Sequence, residues 1–503
     1  MTRNEKLRRF FEIVPGFMTW STILGLIVFS VFKPLWVAVF IICFDLYWVI
    51  RVGYFTTLLI FAYRRLNTEK KTDWLKKCRS LEALETLNYN NIYHAILFPA
   101  YKEGPEVLAA SINALIDSNY DKKKMIVALT IEARAGDVYW DNAKELQKRF
   151  KDKFFEFIIT RHPDGLDGEA KTKGANATWG AMVIREFVDS KKIDHEHVVM
   201  SCFDADTCAE REYFACLTYH YITNPKRTRS SYQPIPVYNN NIWYARSIAR
   251  VIELGSSFMQ MIETMRLEKF VTFSSHSMSF KTLVDVGYWP VDMISDDSVI
   301  YWKCFLYFDG DYSVIPMYVT VSLDVATEKA IIPTIVKQYK QKRRWAWGVE
   351  NFPYLMMGFL KNKKIPLFKK IRRGFHLFES HYTWAVWAII VTFIAPLPLI
   401  FGGGLFRQTT MGYSLPSVAA ALFRITTLTL FICMLMSIKL LPPRPKDVKR
   451  QKMLVMFTQW ILAPILAAFV GSTPAIDAQT RLMLGKYMHF HVTEKIRHGI
   501  TSN

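Results

Sequence analysis

No C-x-x-C pair occurs among the seven cysteines of this 503-residue chain. Zinc-finger spacing and the heptads of a basic zipper are missing too, which removes the common nucleic-acid binders and leaves no reason to expect a nucleic-acid partner. Cys202, Cys208, Cys216 and Cys304 fall in its polar part and read as reduced thiols of a cytosolic compartment. No small-residue cleavage site follows the first apolar run, and that run is too long for the core of a removable signal. Acidic residues are the scarcer sign, 44 Asp and Glu against 64 Lys and Arg, for a formal charge of +20. With nucleic acid set aside, an excess of this size suits basic loops lying against anionic lipid. The chain is 51% hydrophobic and 15% aromatic, too apolar for an ordinary soluble protein, yet its 21% charge is too high for a pure transporter. A membrane-anchored protein with one large polar domain satisfies both.

The apolar runs locate the anchors. Lys6, Arg8 and Arg9 precede an uncharged stretch at 13–32, long enough as a helix to cross about 30 Å of hydrocarbon. After Lys33-Pro34 a second stretch, 35–63, is interrupted only by Asp45 and Arg51 and closes on Arg64 and Arg65. Residues 1–65 are therefore expected to form a two-helix hairpin with both outer ends cytoplasmic. The C-terminal membrane region is expected over 376–480. It holds an uncharged stretch at 382–406 with Pro396 and Pro398, and a second span at 415–438 carrying Arg424. An intramembrane charge usually faces a polar path or headgroup. The run 444–452 is basic, and 453–476 is interrupted by Pro464, Gly471 and Pro474. Lys486, Lys495 and Arg497 make its far side basic as well, so a broken, re-entrant hairpin is expected, followed by a cytoplasmic tail at 481–503.

Between the anchors, 66–327 reads as a globular domain and 328–375 as basic amphipathic helices beneath the membrane. Short β-branched strands at 94–98, 125–131, 154–160 and 198–203 alternate with helices, which predicts an α/β fold of mixed, mostly parallel, Rossmann-like sheet. Ligands of such sheets bind beyond the carboxyl ends of the strands. Tyr101 and Glu103 in P-A-Y-K-E (Pro99 to Glu103), Glu132, and the pair Asp204 and Asp206 all fall on that rim. Two carboxylates one residue apart on an extended segment face the same way and suit a divalent cation on a diphosphate. Lys171 or Lys173, in the glycine-rich 165–177, can reach a phosphate. Gln341, Arg344 and Trp345 share a helix face. Residues 233–241 read as a polar loop, and His276 as a satisfied core histidine.

The ordered set P-A-Y-K-E, a carboxylate after the second strand, K-G-A-N, D-A-D, S-D-D at 295–297 and Q-K-R-R-W at 341–345 resembles the membrane-bound family 2 glycosyltransferases, the group of cellulose, chitin and hyaluronan synthases and ceramide glucosyltransferases. The resemblance implies a GT-A fold and inverting transfer from a nucleotide-diphosphate sugar, usually a uridine diphosphate sugar, with Mg²⁺ or Mn²⁺. The P-A-Y-K-E segment from Pro99 would line the nucleotide site, Tyr101 and Glu103 contacting base and ribose. Glu132 stands where the family usually has Asp, Lys173 and Asp204 would contact the nucleotide, and Asp206 would hold the metal with Asp204. Asp297 would be the general base. Asp296, Gln341, Arg344 and Trp345 would face acceptor and diphosphate, the indole stacking on sugar and Arg344 reaching pyrophosphate. A helix cap is the other reading of Asp296 and Asp297. Ser295-Asp296 replaces the commoner Thr-Glu, and the segment at 490–495 is similar to the family's C-terminal segment. The expected product is a growing polysaccharide, made with or without translocation by a cytoplasmic domain anchored in the plasma (inner) membrane; the alternative is one sugar added to a membrane lipid.

Overall fold

The computed structural model describes residues 2–81 and 87–488. The expected tail is thus described only as far as 488, and the segment at 490–495 lies outside the described residues.

The polar domain is built on an eight-stranded sheet. Its strands are β1 (Tyr93–Ala100), β2 (Met125–Glu132), β3 (Glu156–His162), β4 (Val198–Cys202), β5 (Cys208–Ala209), β6 (Ser230–Tyr238), β7 (Ser277–Ser279) and β8 (Ser313–Leu323), in the spatial order β3-β2-β1-β4-β7-β6-β8-β5. The β1–β2, β2–β3, β1–β4 and β6–β8 pairs are parallel, and β7 and β5 run antiparallel to their neighbours. The expected mixed, mostly parallel sheet is what forms. Alternation along β1 sends Ile96 and Phe98 into one core and Ala95 and Leu97 into the other, so the strand is buried on both faces. Leu108 and Phe214 belong to the first core; Ala181 and Ile300 belong to the second.

One expectation is reversed. Residues 233–241 were expected as a polar loop, but β6 occupies most of them and every residue of that strand is buried. Pro234 and Pro236 disguise it. Pro234 sits where β6 shifts register against β8 between Gln233 and Ile235, Pro236 falls opposite Val321, and β7 pairs only with Ser231 and Tyr232, so on that side the missing N–H groups break no ladder. The Gln233 amide is satisfied across the turn, accepting from Phe273 N–H at 2.8 Å. β7 and β8, which gave no signal in the sequence reading, complete this half of the sheet.

Among the described residues, five helical stretches are long and apolar enough to cross a membrane: Arg3–Phe32, Pro34–Glu69, Leu367–Phe401, Thr410–Lys439 and Gln451–Leu484. Arg424 is exposed on the fourth. The fifth stays helical throughout, taking up its prolines with a 3₁₀ turn at Gln459–Leu462 and a π-helical segment at Ala467–Ser472. Its two ends are both held near the polar domain: Trp460 stacks on Phe258 with ring centroids 5.5 Å apart, and Arg343 pairs with Asp477 at 2.9 Å.

Candidate active site

Four strand ends and two helix starts converge at the carboxyl rim of the sheet. Lys173 is the first residue of the helix Lys173–Ser190, whose N-cap Thr172 accepts from Ala175 N–H. A Cβ on Gly174 would lie 2.7 Å from the Pro290 carbonyl and 3.1 Å from Asp296 Cβ, so only glycine lets this helix start approach the S-D-D segment. Asn176 donates to the carbonyls of Ala100 (3.2 Å) and Thr130 (3.1 Å), tying β1 to β2 just where both end. The K-G-A-N sequence is therefore a packing seam as well as a candidate phosphate contact, and Lys173 is not a solvated loop residue: its side chain is 11% exposed.

Lys173 Nζ lies 2.7 Å from Asp204, 3.0 Å from Asp297 and 3.6 Å from Asp296. Burial works against its charge, but the three carboxylates outweigh it and hold the ammonium well above its ordinary range. The opposite happens at Asp296. Burial first, and then the charge of Asp297, push its carboxyl up to about 7, with Lys173 and Arg344 opposing the rise. Asp297 Oδ1 is also 3.7 Å from His276 Nδ1. His276 is buried and its Nδ1 lies 3.0 Å from the Phe273 carbonyl; burial lowers its pKa, which favours the neutral ring. The helix begins earlier than expected, at Asp296, with Ser295 as N-cap residue and no side-chain cap bond. Both aspartates are thus first-turn residues near the positive end of the helix rather than caps.

The D-A-D pair departs from the extended geometry expected of it. β4 ends at Cys202, and Ala205 and Asp206 form a turn closed by Thr207 N–H donating to the Asp204 carbonyl at 2.9 Å. Asp204 turns toward Lys173 and accepts from Ser274 Oγ. Asp206 is buried and accepts from Asp324 N–H at 2.7 Å. Asn240 Nδ2 donates to the Asp206 carbonyl (3.0 Å) and to Asp324 (2.9 Å).

Along the rim, Glu132 is buried at the end of β2 and paired with Arg134, whose guanidinium lies 4.4 Å above the Tyr101 ring. Glu103 accepts from Tyr101 N–H at 2.7 Å, and Pro99 is buried within β1. A pocket opens beside this group, lined by Glu132, Arg134, His162, Glu169 and Lys171. On the other side, the helix Ile331–Ala346 carries Gln341 buried, and places Trp345 against Tyr238 at 5.6 Å. Arg344 is close enough for its charge to act on Asp296. Lys342, buried and paired with Glu253 at 3.2 Å, sits 3.6 Å over the Trp345 ring.

Arg134, Ser274, Asn240 and Asp324 belong to this constellation and escaped the sequence reading. Asp324 was detectable: like Glu132 and Asp204, it follows an apolar strand directly. Ser274 and Asn240 carry no local signal, because they act through chain reversals the sequence does not announce.

The family assignment comes from the sequence that builds this rim. Residues 200–470, more than half of the chain, match the family model described as glycosyl transferase family group 2. The chain belongs to that family. Among curated proteins it is 27% identical over 288 residues to a poly-beta-1,6-N-acetyl-D-glucosamine synthase of Staphylococcus epidermidis, and to the same protein from a second strain. The match covers 54% of this chain and 59% of that relative. Among solved structures it resembles a Pyrobaculum calidifontis mannosyltransferase in complex with GDP-Man and Mn²⁺, at 14% identity and a TM-score of 0.41, over 75% of this chain and 99% of the other. It also resembles residues 1–349 of S. aureus TarS, at 9% identity and a TM-score of 0.35, over 80% and 94%.

Proposed function

We propose that this chain transfers a sugar, with inversion, from a nucleotide-diphosphate sugar to a growing polysaccharide at the cytoplasmic face of a membrane. The observation that carries the reading is the cluster of Lys173 with Asp204, Asp296 and Asp297 on the sheet rim, inside a chain of this family. The curated relative is named as a polymer synthase, which favours a polysaccharide acceptor and a hexosamine donor such as UDP-N-acetylglucosamine.

In this reading the acceptor hydroxyl attacks the anomeric carbon while the bond to the diphosphate breaks. The nucleoside diphosphate leaves with the electron pair. Asp297, partly exposed and beside the site, takes the acceptor proton. Lys173 keeps its charge throughout, because three carboxylates hold it, so it can offset charge on the leaving diphosphate without a proton step. Tyr101, Glu103, Glu132 and the backbone around Pro99 cradle the nucleoside. Gln341, Arg344 and Trp345 hold the acceptor end, the indole on a sugar face and the guanidinium toward the diphosphate.

A divalent cation fits the donor set. Mg²⁺ on a diphosphate is usually held by one or two carboxylates, with substrate oxygens completing the shell. Asp204 and Asp206 supply hard oxygens of that kind, Asp206 being steadied from behind by Asp324 N–H. The ion would supply charge neutralisation for the departing diphosphate.

The test is direct. Purified membranes are given a panel of labelled nucleotide sugars with Mn²⁺ or Mg²⁺, and product size is read on a gel. A high-molecular-mass ladder supports polymer synthesis; an organic-soluble product of one sugar replaces it with transfer to a membrane lipid. Release of no nucleoside diphosphate from any donor would remove the reading.

A further inference from the structure

Five residues beyond Trp345, a carboxylate bridges the two ends of the site without touching the rim. Glu350 closes the 3₁₀ turn Trp347–Glu350 that follows the helix Ile331–Ala346. Its Oε1 accepts from Ile294 N–H at 2.9 Å, from Ser295 N–H at 2.8 Å and from Ser295 Oγ at 2.8 Å. Its Oε2 accepts from the Trp347 indole N–H at 2.8 Å. The neighbouring Asn351 shares that hydroxyl, its Oδ1 lying 3.1 Å from Ser295 Oγ, and donates to Ser298 Oγ at 2.7 Å. Ser295 immediately precedes Asp296 and Asp297.

We propose that Glu350 is a positioning residue, holding the Ile294–Ser295 backbone so that Asp296 and Asp297 stay in register with Gln341, Arg344 and Trp345. The inference rests on the reading of Asp297 as general base. Four donors point at the carboxylate: two backbone N–H groups, the indole N–H and the Ser295 hydroxyl. Burial raises its pKa, but the hydrogen bonds from Ser295, Trp347 and Ile294 oppose that rise. Glu350 is thus engaged by the Ile294–Ser295 segment and the Trp347 indole, and acts through the backbone ahead of the base.

The geometry also explains why the site needs such a clamp. The helix Asp296–Tyr307 starts without a side-chain cap on its N–H groups; within the segment, Ser298 Oγ donates only to the Ser295 carbonyl, at 3.2 Å. Thr272 Oγ1 donates to the Asp297 carbonyl at 2.6 Å, which anchors that turn on the other side. Glu350 supplies the restraint from the Q-x-x-R-W segment, so acceptor grip and proton acceptor share one support.

The experiment compares Glu350→Ala and Glu350→Gln with the parent in full-length, detergent-purified enzyme, alongside Asp297→Asn. Binding of the nucleoside diphosphate with Mn²⁺ counts competent molecules, and kcat is expressed per competent molecule. Glu350→Ala is expected to lower kcat roughly 10- to 100-fold, the scale of a small displacement of reacting groups, with diphosphate affinity and donor KM unchanged. Glu350→Gln keeps an oxygen for Ile294 and Ser295 and loses only the indole bond, so it should recover most of kcat. Parent kcat per competent molecule in Glu350→Ala, or a parallel loss of donor affinity, overturns the proposal. If Glu350→Ala binds no nucleotide, Glu350→Asp, with its carboxylate drawn back by one methylene, is judged by the same two criteria. Normal turnover in Asp297→Asn would instead remove the base assignment, a result separable from failure of the clamp.

Discussion

Lys173 Nζ lies 3.0 Å from Asp297 Oδ1, so the residue proposed to act on the donor and the residue proposed to act on the acceptor form one ion pair. The same ammonium is 2.7 Å from Asp204, the first aspartate of D-A-D. Donor and acceptor chemistry thus share a single buried cation, and the two halves of the site are not independent.

A kinetic signature follows. Asp297→Asn keeps size and hydrogen bonding, leaves Lys173 paired with Asp204, and removes only the proton acceptor. Turnover should fall by about 10² to 10⁴, with affinity for the nucleoside diphosphate nearly unchanged. Lys173→Met strips the countercharge from three carboxylates, so it should lower both donor affinity and kcat. The double variant should be little worse in kcat than the poorer single one, because both act on one pair. Additive losses in kcat would show that the pair seen here is not the working arrangement.

Metal dependence should pass through Asp206. Asp206→Asn retains an oxygen for Asp324 N–H, so the fold should survive. Turnover should be lost, and Mn²⁺ should no longer strengthen binding of the nucleoside diphosphate. In the parent protein, chelator should abolish transfer and added Mn²⁺ or Mg²⁺ should restore it. Near-normal turnover by Asp206→Asn would return the pair to a structural turn.

Stability should depend on pH through Asp296. Its carboxyl is pushed up to about 7 by burial and by Asp297, from an ordinary 3.8. The unfolded chain therefore gives up this proton first. The contribution is fully favourable below about 4, and it is lost as pH rises through about 7. Asp296→Asn cannot ionise, so its advantage in thermal midpoint over the parent should grow from pH 5 to about pH 7 and level off above it, measured without metal or nucleotide. A difference independent of pH would mean that Asp296 titrates normally.

How much of this was legible depends on whether the signal was local. β1, β2 and β4 announce themselves as apolar runs ended by polar residues, and Tyr101, Glu132 and Asp204 mark those ends. Lys173 was found as a candidate, but its company was not: nothing in the sequence says that 173 and 297 meet, and only Gly174 hints at the close approach. β6 was missed because Pro234 and Pro236 are strong loop signals, overridden by a register shift and a one-sided pairing. Glu350 was invisible, since its role comes from backbone donors more than fifty residues away in the chain.

The stretch Gln451–Leu484 is long and apolar enough to cross a membrane by composition. Its contacts argue against a full crossing. Near its start, Trp460 stacks on Phe258 of the helix Ser247–Glu263, which packs on the sheet domain. Near its end, Asp477 pairs with Arg343 of the helix carrying Gln341 and Trp345, and Arg9 donates to the Leu482 carbonyl at 2.8 Å. Arg9 belongs to the basic start of the first helix, expected on the cytoplasmic side with Arg64 and Arg65. Both ends should therefore be cytoplasmic, with the π-helical segment Ala467–Ser472 the deepest part. In a background lacking reactive native cysteines, Lys486→Cys should resist a membrane-impermeant thiol reagent in intact cells. Gln408→Cys, in the turn between the third and fourth stretches, should react. Ready labelling at 486 from outside would establish a complete span and place the C-terminal residues across the membrane from the active site.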